Sequence, residues 1–78
     1  MTTQAFQLNH EWQRLTDGKE EKLLQVFNGP VSVCDSATAP TGDAPAHVFD
    51  PGFYTLTPPS VIWARAVKRG QMVKIVVS

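Results

Sequence analysis

Residues 46–78 read AHVFDPGFYTLTPPSVIWARAVKRGQMVKIVVS, and this stretch decides the fold class. Short runs of Val, Ile, Phe, Tyr and Thr alternate there with Pro and Gly at 51–52, 58–59 and 70. β-Branched and aromatic side chains suit a pleated, half-buried surface, whereas Pro and Gly end such runs. The stretch therefore predicts strands at 47–49, 53–57, 61–67 and 72–77. In the last of these Val73, Ile75 and Val77 share one face and Met72, Lys74 and Val76 the other. The charge on Lys74 turns its face outward, so the first set packs inward. Residues 68–71, with Gly70, have the length of a hairpin loop between the last two strands.

Upstream the same reading gives strands at 5–8 and 11–16, where Phe6, Leu8, Trp12 and Leu15 stand among polar residues. Residues 16–18 signal a turn, and 19–22 form a charged, solvated loop. A short helix over 19–27 would be ended by Gly29-Pro30, and Val26-Phe27 favours a strand at 23–28. Asn28-Gly29-Pro30 then turns the chain into a strand at 31–35, with Val31, Val33 and Asp35 on the face opposite Ser32 and Cys34, and these two runs read as a hairpin. Residues 36–45, SATAPTGDAP, cannot pair regularly because Pro40 and Pro45 lack donors, and they form the longest loop. Several short strands with turn signals between them imply one all-β domain over residues 1–78, a small antiparallel β-sandwich or β-barrel. The first 20 residues form either an arm or an edge hairpin.

A 78-residue chain buries only about 60 to 65% of its unfolded surface, so its stability is marginal without outside help. One cysteine, Cys34, cannot make an intramolecular disulfide, and no ligand cluster suggests a metal. Self-association is the remaining aid, and a homo-oligomer is expected. Seven basic and seven acidic side chains give zero formal charge, which disfavours nucleic acid as a partner. No apolar run reaches the roughly 20 residues of a membrane helix, and MTTQAFQLNH lacks signal-peptide features, so a cytoplasmic product without a membrane partner is expected.

The chemistry of catalysis is thinly represented. Cys34, His47 and Asp50 form the one loosely plausible nucleophilic trio, with no recognised signature around them. His10, Glu11 and His47 offer no closed metal set, and the single glycines at turns cradle no phosphate. The sequence therefore predicts neither an enzyme nor a cofactor. The aromatics carry more information. Trp63 and Arg65 lie two apart on one strand, where a guanidinium can cover an indole. If Ile62, Ala64 and Ala66 face the core, Trp63 and Arg65 point outward and need a subunit or ligand as cover; the alternative places Trp63 in the core. Trp12, Phe53 and Tyr54 complete the candidate interface or binding set, either at a subunit contact or as a sugar-stacking platform.

Residues 31–78 resemble a module of small phage and prophage structural proteins. The resemblance is carried by Val31, Val33, Asp35 and Ser36, then His47 and Asp50-Pro51-Gly52, then the strand Ile62-Trp63-Ala64-Arg65-Ala66. Phe53 departs from the pattern, standing where that family often has an acidic residue. The resemblance implies a β-rich head-fibre, decoration or tail-associated protein, commonly trimeric, made in the host cytoplasm and joined to other virion proteins. A carbohydrate- or receptor-binding β module is the alternative.

Overall fold

The computed structural model describes residues 3–78. Eight strands run in the order β1 (Gln4–Leu8), β2 (Gln13–Arg14), β3 (Lys22–Val26), β4 (Val31–Asp35), β5 (His47–Phe49), β6 (Gly52–Leu56), β7 (Ile62–Ala66) and β8 (Val73–Val77). They make two four-stranded antiparallel sheets, a first of order β1-β8-β3-β6 and a second of order β2-β7-β4-β5, packed into a sandwich. The expected all-β antiparallel fold is therefore observed, and of the two expected architectures, sandwich or barrel, it takes the sandwich form.

Alternation decides which side of each strand is buried. Leu8, Leu24, Val26, Leu56, Val73, Ile75 and Val77 come from the first sheet, and Leu15, Val31, Val33, Ile62, Ala64 and Ala66 come from the second or its flanks. Phe6, Phe49 and Tyr54 pack at the margins of this core. Its one buried polar side chain among the described residues is Thr16. The Thr16 hydroxyl donates to the Ser60 carbonyl at 3.0 Å and accepts the Ile62 N–H at 2.9 Å, which answers the cost of burial.

Two expected hairpins are not formed. Residues 23–28 and 31–35 lie in opposite sheets, since β3 pairs with β6 and β8 whereas β4 pairs with β5 and β7. The runs 61–67 and 72–77 are divided likewise, β7 pairing with β2 and β4, and β8 with β1 and β3. The physical reason is that a period of two fixes which face of a strand is buried without fixing its hydrogen-bonded neighbour. Both loops therefore carry the chain across the roughly 10 Å between facing sheets. The first is tied to the second by Asn28, whose amide donates to the Met72 carbonyl at 3.4 Å and whose Oδ1 accepts the Lys74 N–H at 2.7 Å. β1 and β2 also lie in opposite sheets, so residues 4–14 are not a hairpin. The strand expected at 11–16 is reduced to Gln13–Arg14. Among the described strands, β4 and β5 alone are both consecutive and hydrogen-bonded, and residues 36–46 connect them.

Candidate functional site

The sequence candidates fall into two groups on opposite sheets. On the second sheet, β7 directs Ile62, Ala64 and Ala66 into the core, so Trp63 and Arg65 emerge on the outer face, each half-buried. The pairing of Arg14 with Trp63 and of Gln13 with Ala64 brings Trp12, just before β2, alongside Arg65. The Arg65 guanidinium lies 4.3 Å from the Trp12 ring centroid. It covers that indole in place of Trp63, two residues away on its own strand, because a directly opposed cross-strand neighbour stands nearer than an i, i+2 neighbour.

The loop at 36–46 is laid over this face and held by the same three side chains. Trp63 Nε1 donates to the Ser36 carbonyl at 2.8 Å, Trp12 Nε1 to the Thr41 carbonyl at 2.9 Å, and Arg65 Nη2 to the Gly42 carbonyl at 2.7 Å. Within the loop, Thr41 Oγ1 donates to Asp43 Oδ1 at 2.9 Å and Ser36 Oγ to the Thr38 carbonyl at 2.7 Å. At the base of the loop, Asp35 Oδ1 accepts the Val61 N–H at 3.0 Å, fixing where β4 ends against β7. The cover that an outward indole needs comes from the chain's own loop. An open recess remains between loop and sheet, bordered by Cys34, Pro40, Ala44 and His47.

Phe53 and Tyr54 sit elsewhere, on β6 at the edge of the first sheet. The pleat turns them apart. Tyr54 points inward, stacks on Phe49 with ring centroids 4.2 Å apart, and donates its hydroxyl to the Asp50 carbonyl at 2.6 Å. Phe53 points outward and is 68% exposed. Phe53 faces Gln25 directly, with Leu23 on one diagonal and Phe27 on the other; Leu23 and Phe27 are also exposed. The Lys74 ammonium lies 4.9 Å from the Phe27 ring centroid, as a cation over an aromatic face. Leu23 and Phe27 were not among the sequence candidates, yet their alternation with Leu24 and Val26 places them on the outer face.

The other chemical candidates are not aimed at one another, although Cys34 and His47 both border the recess. His47 opposes Val33, a core-facing residue, so the pleat sends Cys34 and His47 from their strands in opposite directions. Among the described residues no group of three or more His, Cys, Asp or Glu side chains is placed to hold a metal. Trp12, Phe53 and Tyr54 do not make one platform: Trp12 lies under Arg65 on the second sheet, Phe53 faces out from the first, and Tyr54 faces in. No protein-family model matches this chain, and no curated protein or solved structure matches it.

Proposed function

We propose that this chain is a non-enzymatic assembly module, a small structural or accessory component of a phage particle on its head or tail surface. It works by self-association and contact with other virion proteins. The observation that carries the assembly reading is the concentration of Leu23, Phe27 and Phe53 on the outer face of one sheet, with Met72 exposed near its end. Soluble monomers usually scatter exposed apolar side chains singly, and contiguous patches rimmed by polar groups mark interaction surfaces. Thr55 and Lys74 border the group, and Gln25 lies between its three side chains. The virion setting is supported by the resemblance of residues 31–78.

The test is mass spectrometry of density-purified particles from lysates of the source cells, with this chain counted against the major capsid protein. A fixed, simple copy ratio is the expected result. Presence in the lysate with none in particles would contradict the virion assignment and move weight to the second reading, a carbohydrate- or receptor-binding module. That reading draws on the recess under the 36–46 loop. Binding on a glycan array that Trp12→Ala removes would support it.

A further inference from the structure

The free edge of β6 is an unprotected pairing template. In β3, Leu23 exchanges both backbone bonds with Ser78 at 2.8 and 2.9 Å, and the Phe27 N–H reaches the Lys74 carbonyl at 3.1 Å. Odd-numbered residues of β3 therefore direct their amides and carbonyls at β8, and Lys22, Leu24 and Val26 direct theirs at β6. Their partners are Leu56, Tyr54 and Gly52. It follows that the N–H and C=O groups of Phe53 and Thr55 point away from the sheet, along an edge with no neighbouring strand among the described residues.

Natural edge strands are usually blunted by charge, Pro, a bulge or short length. β2 is two residues long and carries Arg14, and β5 is three residues long with Pro51 shortly beyond. β6 is flanked by Pro51 and Pro58, but within the strand Gly52-Phe53-Tyr54-Thr55-Leu56 is five residues long, uncharged and free of Pro. β5 and β6 are edges of opposite sheets joined only through Asp50-Pro51, so they lie on the same side of the sandwich. The two most exposed large apolar side chains, Phe53 at 68% and Val48 at 59%, are on these two strands.

Resting on the assembly reading above, we infer that β6 pairs antiparallel with β6 of a second copy about a two-fold axis at Tyr54. Phe53 of each copy then opposes Thr55 of the other, and the two residues exchange N–H···O=C bonds, four across the seam. The arrangement is self-complementary, as an isologous contact must be, and it closes at two copies in place of the three that the resemblance implied. The two Phe53 rings become diagonal neighbours about 7 to 8 Å apart at Cα, within reach of each other on the outer face. The other long edge, β1, is also uncharged, but its outward residues are Ala5 and Gln7, which would leave Phe53 uncovered. A joint between β6 and β1 would moreover propagate as a filament and not close.

Residue-resolved amide exchange on the full chain at rising concentration tests this pairing. The Phe53 and Thr55 amides should slow about fivefold at a total concentration roughly ten times the dissociation constant, where about a fifth of the chains are still monomers, and Phe53→Lys or Thr55→Lys should remove that slowing with the far-ultraviolet spectrum unchanged. Free exchange at Phe53 and Thr55 at every concentration overturns the inference, as does concentration-dependent protection at Ala5 and Gln7. Free exchange together with a fixed copy ratio in purified particles overturns the β6 seam alone, whereas exchange protection with no chain in particles leaves the seam and removes the virion setting.

Discussion

Thr16 shows how a single side chain can specify where the chain crosses between sheets. Its hydroxyl, on a side chain only 3% exposed, joins the Ser60 carbonyl to the Ile62 N–H. Thr16→Val keeps the shape and leaves both groups unpaired, so the cost should be about 1 to 3 kcal/mol, read as a lower urea midpoint; an unchanged midpoint would show that the hydroxyl is dispensable. Gly18 and Gly70 form a matched pair, with φ at 82° and 79°. A Cβ on Gly18 would meet the Pro59 carbonyl oxygen at 2.9 Å, and one on Gly70 would meet nothing. Gly70→Ala should therefore cost only the left-handed penalty of about 1 to 2 kcal/mol, and Gly18→Ala distinctly more; equal costs would argue against the close packing of residue 18 on 59. At Asp17 the N–H of Lys19, 3.0 Å from Oδ1, is the main cause holding the carboxyl below its usual range. A lowered folded-state value stabilises the fold above the unfolded carboxylate range and ceases to do so as pH falls through the folded value. The stability gap between the native chain and Asp17→Ala should narrow on acidification, and a constant gap would count against this contact.

At the level of elements, the 36–46 loop is ordered by three donors from β7 and the segment before β2. Arg65→Met removes the bond to the Gly42 carbonyl and the cation over Trp12, a contact worth about 0.5 to 2 kcal/mol; Trp12→Phe removes only the indole donor and keeps a ring beneath the guanidinium. Limited proteolysis within 36–46 should accelerate in both variants, more in Arg65→Met, and unchanged cleavage would show the loop held by other contacts. The inward set at 73, 75, 77 was legible in the sequence because the charge on Lys74 orients the alternation, whereas at 62, 64, 66 alternation separated the two faces and Trp63 left open which one is buried. The sheet to which each strand belongs was not, since Asn28-Gly29-Pro30 and residues 68–71 suit a turn within a sheet and a crossing between sheets alike. The Trp12–Arg65 contact depended on that missing strand order. The strap over Trp63 had a partial signal: an outward indole N–H requires an acceptor, and the neighbouring loop is rich in residues that leave carbonyls unpaired.

For the molecule as a whole, the sandwich encloses an apolar core and leaves Leu23, Phe27 and Phe53 outside it. The small core that limits a 78-residue chain and the uncharged β6 edge are complementary facts: pairing extends the first sheet from four strands to eight and covers Phe53. Dimerisation should accordingly raise the thermal midpoint as protein concentration rises, and Phe53→Lys should abolish that dependence. The most direct measurement is sedimentation equilibrium of the native chain from low micromolar to near-millimolar concentration. A mass rising toward twice 8.6 kDa and levelling there is the predicted result; a single-chain mass across the whole range would contradict self-association as the basis of its function.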